Sequence, residues 1–169
     1  MTRYVHTIMR CLSCIERKRS LLIGLSTRMD HEGCAYGSIC GTPCYMAPEI
    51  VRAAAPVTAG ERADKVRYTP AADTWAAGVS LLIMLTGTIP FGDPLVAQTE
   101  HATSGEALPG AYFESRLDVC MTKVSAAFRS SSCALEHHVA SAACDMLRQM
   151  LIVDASVRPT AATLLSRHG

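Results

Sequence analysis

The stretch Gly41-Thr42-Pro43-Cys44-Tyr45-Met46-Ala47-Pro48-Glu49 decides the fold of this 169-residue chain. Pro43 sets a turn, because its ring fixes φ, and residues 44–54 are expected to form a short helix after it. Upstream, Leu21-Leu22-Ile23 is a short apolar run ending at Gly24 and reads as a short strand entering a turn. Residues 25–40 are polar, contain Gly33 and Gly37, and read as a loop. Downstream, residues 55–70 read as a second loop bracketed by Pro56 and Pro70.

Asp73 is a favourable residue at a helix N-terminus. A helix is expected from there to about Thr86, stopped by Gly87 with Pro90 beyond. Its sequence is apolar nearly all round, which implies a central, buried helix. Residues 92–112 carry Gly92, Pro94, Gly105, Pro109 and Gly110 and read as a long connection with one short helical piece. Further helices are expected within 114–129, over 139–152 (Val139, Ala143, Met146, Leu147, Met150 and Leu151 at helical spacing), and from Thr160 as a cap to Ser166. The order is helices joined by long loops. No run of alternating strands argues for a sheet-based fold.

Composition excludes several functions. Hydrophobic residues make up 49% and charged residues 18%, enough apolar material for a core and too much for wholesale disorder. The net charge of +1 gives no basis for a global nucleic-acid or membrane-surface binder. The short run Glu16-Arg17-Lys18-Arg19 reads as a solvated surface stretch. Val79 to Leu85 is too short to span a bilayer, which takes about 20 apolar residues. Eight cysteines are many, but Met1 to Arg10 lacks the apolar core of a secretory signal, so free thiols in a reducing compartment are expected. Cys11 and Cys14 have CxxC spacing without a second ligand pair, a weak zinc signal.

Three segments, in order, resemble the C-terminal lobe of serine/threonine protein kinases. Gly41 to Glu49 resembles the end of the activation segment, with Ala47-Pro48-Glu49 as its closing A-P-E. Asp73-Thr74-Trp75-Ala76-Ala77-Gly78, followed by Pro90-Phe91-Gly92, looks like the start of the lobe's central helix. Ala140 to Leu151, Asp154 and Arg158-Pro159-Thr160 resemble its closing helices. The resemblance implies a mainly α fold, the helical C-lobe without an N-lobe, over residues 21–169, with residues 1–20 unassigned. It implies that Thr42 helps to position a substrate hydroxyl. Ser38 falls where family members carry an activating phosphosite, and a phosphoryl group there would add negative charge and order the loop. Asp73 would accept hydrogen bonds from the catalytic loop, Gly78 would allow a close approach of a neighbour, and Glu49 would pair with Arg158.

The chemistry of the family is not written in this chain. Phosphoryl transfer rests on positioning and electrostatics. No G-x-G-x-x-G and no His-Arg-Asp occurs. Gly24-Leu25-Ser26 lines up with the end of a D-F-G-L-S stretch, but Leu22 and Ile23 stand where its Asp and Phe would be. Leucine has no oxygen for magnesium. No catalytic, ATP-binding or metal-binding residue is therefore assigned. No cofactor is expected for this chain, although ATP and Mg2+ serve the intact family. The partners implied are a protein substrate or docking partner, with no nucleic acid and no membrane, in the cytoplasm. Three readings stay open: a kinase represented by a truncated or mis-started chain, a pseudokinase-like protein-binding module, and a non-functional gene remnant. In each, Asp73 is expected to become a poorly satisfied buried acid without its catalytic-loop donors.

Overall fold

A computed structural model describes residues 30–32, 34–37, 39–54, 66–102, 108–129 and 134–168. The order of elements is β1 (Ala35–Gly37), α1 (Pro48–Ala53), β2 (Val66–Tyr68), α2 (Pro70–Thr86), α3 (Pro94–Ala102), α4 (Gly110–Arg129), α5 (Ala134–Met150) and α6 (Ala161–His168). A single 3-10 turn, Pro43–Tyr45, precedes α1. Among the described residues the architecture is mostly helical, as the sequence implies. The expected strand at Leu21–Ile23 lies outside the described residues.

α2 is the axis of the fold. Pro70 occupies its first position, where a missing N–H costs nothing, and Thr69 before it is extended. Asp73 therefore sits within the first turn and is not the cap. At the other end Gly87 adopts φ +68°, and its N–H donates to the Ile83 carbonyl at 2.7 Å. Only glycine adopts that left-handed stop at little cost. The buried face of α2 carries Thr74, Trp75, Gly78, Val79, Leu81 and Leu82. Pro70, Asp73, Ala77 and Met84 share the opposite stripe and are exposed. The helix is thus one-sided, not buried all round, because the helical period sorts these positions onto one face.

Against α2 pack α4 and α5, which also pack on each other. The Trp75 ring stacks on Phe91 at 5.2 Å between centroids and meets Phe113 edge-on at 5.6 Å. Phe91 and Phe113 close the triangle at 5.6 Å. Offset and edge-on pairs of this kind add about 0.5–1.5 kcal/mol beyond the area they bury. Tyr112 fixes the geometry by donating its hydroxyl to the Phe91 carbonyl at 2.8 Å. Val51 of α1, Leu147 of α5 and Leu151 just beyond it are fully buried as well.

Several expected loops carry structure. Within 25–40 and 55–70, β1 and β2 pair antiparallel, Ala35 opposite Tyr68 and Gly37 opposite Val66. Three residues per strand are too few to show an alternating pattern, and each strand exists only through the other. Residues 92–112 hold all of α3 and the start of α4. Asp93 is the reason for α3: its Oδ1 accepts from the N–H of Leu95 at 3.0 Å and of Val96 at 3.3 Å, and Pro94 follows it. α5 begins at Ala134 and ends at Met150, earlier at both ends than 139–152. Thr160 caps α6, its hydroxyl accepting from the Thr163 N–H at 3.3 Å.

Candidate functional site

The 3-10 turn and α1 are built by their prolines. The Tyr45 N–H donates to the Thr42 carbonyl at 3.1 Å, and the Met46 N–H to the Pro43 carbonyl at 2.9 Å. Ala47 is extended, Pro48 opens α1, and the N–H groups of Ile50 and Val51 both donate to the Ala47 carbonyl. This seats Glu49 in the first turn of a helix, where a carboxylate is favoured. Met46, Ala47, Ile50 and Val51 go into the core and hold the turn on the lobe.

Arg158 reaches Glu49 from the turn after α5. Its Nη1 donates to Glu49 Oε1 at 2.9 Å and its Nη2 to Oε2 at 3.0 Å, a bidentate pair. The remaining three N–H groups also find acceptors: Nε donates to the Ile152 carbonyl at 2.7 Å, Nη1 to the Ala71 carbonyl at 2.7 Å and Nη2 to the Val153 carbonyl at 3.3 Å. All five donors of the guanidinium are used. Its carbon lies 5.0 Å from the centroid of the Trp75 ring. The Arg158 side chain is fully buried, whereas that of Glu49 keeps 24% exposure. One cation thus ties α1, the start of α2 and the 152–153 turn together.

Gly78 faces the end of α5. A Cβ placed there would come within 2.9 Å of both Leu151 Cδ2 and Met150 Cβ. That is closer than carbon atoms pack, so only glycine lets α2 lie against α5 at this point.

The other singled-out residues are not brought together with this anchor. Thr42 is exposed, and its side chain makes no capping bond to the turn that it opens. Asp73 is exposed as well, which corrects the expectation of a stranded buried acid: its position on the outer stripe of α2 leaves it in water. Ser38 and Leu22 lie outside the described residues. Cys40 approaches β2, its N–H donating to the Tyr68 hydroxyl at 3.2 Å. Burial raises the Tyr68 phenol above its ordinary value. Sequence reasoning missed this contact and the three carbonyls that Arg158 binds; backbone acceptors leave no residue-type signature.

Among the described residues, no three His, Cys, Asp or Glu side chains gather as a metal site. Among them, no helix is long and apolar enough to cross a membrane.

A family model for the protein kinase domain matches residues 23–168. The chain belongs to the protein kinase family. It is similar to the probable serine/threonine-protein kinase fhkC of Dictyostelium discoideum, 39% identical over 93 residues, which are 54% of this chain and 14% of that protein. It is similar to ribosomal protein S6 kinase alpha-3 of Homo sapiens, 45% identical over 69 residues, 40% of this chain and 8% of that protein. With calcium-dependent protein kinase 9 of Oryza sativa subsp. japonica it shares 33% over 130 residues, 77% of this chain and 17% of that protein. The chain spans less than a fifth of the length of each of these relatives.

Proposed function

We propose that this chain is the helical portion of a cytoplasmic serine/threonine protein kinase. In an intact enzyme, the portion holds the activation segment in place for transfer of the ATP γ-phosphoryl group to a protein serine or threonine. The observation that supports this is the Arg158 anchor: two of its hydrogen bonds hold Glu49, and with it the turn that carries Thr42, while three more fasten the guanidinium to backbone carbonyls of the helical lobe. Transfer depends on positioning above all, and an activation segment tied down in this way supplies part of it. Thr42 then contributes to seating the substrate hydroxyl, and Ser38 is the candidate for a regulatory phosphoryl group.

The 169-residue chain on its own is proposed to be inactive and to bind neither ATP nor magnesium. Its residues do not fit the metal: Leu22 offers no oxygen, and no described cluster replaces it. A chimera tests both halves of the proposal. Residues 41–168 would replace the matching segment of calcium-dependent protein kinase 9, and phosphate transfer to protein would be followed with labelled ATP. Activity in the chimera and none in the isolated chain is the expected result. A folded but inactive chimera would sink the positioning role, and transfer by the isolated chain would sink the proposed inactivity.

A further inference from the structure

Thr42 is tied down on its C-terminal side, where the 3-10 turn and α1 are fastened through Glu49 to Arg158. On its N-terminal side stands Gly41, exposed and at φ +106°, a backbone that side chains rarely adopt. A Cβ on Gly41 would meet no atom within 4 Å. The space beside this glycine is open, so packing there does not fix the direction in which the chain enters Thr42.

The chain is held one residue further back. The Cys40 N–H donates to the Tyr68 hydroxyl at 3.2 Å, and Cys40 Sγ lies 4.0 Å from the same oxygen. β1 ends at Gly37, so among the described residues no strand pairing reaches Cys40. The Tyr68 ring supplies the reach that the ladder lacks. Tyr68 stands opposite Ala35 at the start of β1, yet a Cβ on Gly37 would lie 4.0 Å from its Cε2, so the ring runs along β1 toward the far end. The ring is half-buried and packs against the core, which leaves it little freedom to swing. Two residues on, Pro70 opens α2, so whatever Tyr68 grips is referred to the axis of the fold. Burial raises the phenol above its ordinary value, so the hydroxyl is neutral at neutral pH.

We propose that Tyr68 is a positioning residue for Thr42: its hydroxyl fixes the main chain at Cys40, so that the glycine between them cannot let Thr42 drift. The substrate hydroxyl then meets Thr42 in one place, which is the kind of order on which transfer depends. That consequence rests on the kinase role proposed above. The hold itself does not, and it is measurable without phosphoryl transfer.

Amide exchange with water and 15N relaxation, read by NMR on the full chain with and without Tyr68→Phe, test this. Phenylalanine keeps the ring and loses the hydroxyl. Exchange at Cys40 should rise about fivefold, the worth of an ordinary hydrogen bond, and the Thr42 amide signal should shift and gain motion. The amides of Met46, Ile50 and Val51, held by the carbonyls of Pro43 and Ala47, should exchange as before, with the urea midpoint little changed. A tyrosine that served stability alone would speed all of these amides together. Unchanged exchange at Cys40 overturns the proposal. So does a rise shared equally by Met46, Ile50 and Val51, or a change at Cys40 that leaves the Thr42 signal where it was. The chimera reads the kinase role and this experiment reads the hold on Thr42, so each can fail without the other.

Discussion

Glu49 and Arg158, 109 residues apart in sequence, are joined by two parallel hydrogen bonds of 2.9 and 3.0 Å. The arginine gives its other three donors to backbone carbonyls, so the pair anchors chain as well as charge. Arg158→Ala strands Glu49 and leaves the carbonyls of Ala71, Ile152 and Val153 short of a donor. The expected loss is about 3–5 kcal/mol, the usual cost of breaking a buried pair. Arg158→Lys should recover little of it, because an ammonium has three donors and no planar fork. Urea unfolding checks this, with stability read from midpoint and slope together. The control is Arg148→Ala, whose pair with Asp145 spans 3.7 Å with both side chains 60% exposed, and which should change stability by less than about 0.5 kcal/mol.

Gly78→Ala isolates the close approach of α2 and α5. Alanine is the better helix former by about 1 kcal/mol, so an uncrowded site would gain stability. Here the new Cβ meets Leu151 Cδ2 and Met150 Cβ at 2.9 Å. Met150 Cβ is bound directly to its backbone and cannot swing away. A net loss of about 1–3 kcal/mol is expected from overpacking, measured by thermal and urea unfolding. A neutral or stabilising result would mean that the two helices lie further apart than described.

Legibility followed the range of the interactions. The end of α2 could be read from Gly87, since a left-handed stop needs glycine and the signal is one residue wide. Its start could not be read from Asp73, because Pro70 opens the helix a turn earlier and the pattern of an acidic residue before an apolar run is met equally well inside a first turn. Asp93-Pro94 held the signal for α3 in plain view, a cap followed by a first-position proline, but Gly92 and Pro94 also read as breakers. β1 and β2 were hidden, since three-residue strands acquire their hydrogen bonds only from each other across some thirty residues of chain. The partnership of Glu49 with Arg158 was legible through family resemblance alone. The backbone carbonyls that complete it depend on packing that no motif encodes.

Acid stability should carry the mark of Asp154. Hydrogen bonds from Ser156 come first among the causes that hold its carboxyl below the ordinary value of 3.8. A carboxyl whose folded value is depressed stabilises the fold above its unfolded value and loses that contribution as pH falls through the folded one. Asp154 therefore favours the native state at neutral pH and ceases to do so in strong acid, below pH 3.8. Asp154→Asn should flatten that part of the acid limb in a series of urea midpoints taken at decreasing pH. A limb of unchanged steepness would assign the acid sensitivity to other carboxylates.

Thiol labelling reads the burial of the lobe residue by residue. Cys40 is exposed, Cys44 is half-buried, and Cys34, Cys120 and Cys144 are buried. The thiolate is the reactive form, and burial opposes its formation. At Cys120, on the inner face of α4, burial raises the thiol above its ordinary value and outweighs the opposing pull of Lys123. Among these five cysteines, a thiol-specific reagent at mildly alkaline pH should modify Cys40 first, with Cys120 reacting only as fast as the lobe opens. Peptide mapping by mass spectrometry after timed quenching gives the order. Arg158→Ala should speed Cys120 far more than Cys40, because weakening the anchor raises the population of the open lobe without changing access to a residue already in solvent. Equal labelling of Cys40 and Cys120 in the unaltered chain would show that α4 is not held against the core, and the anchor from Glu49 to Arg158 would then have nothing rigid to hold the activation segment against.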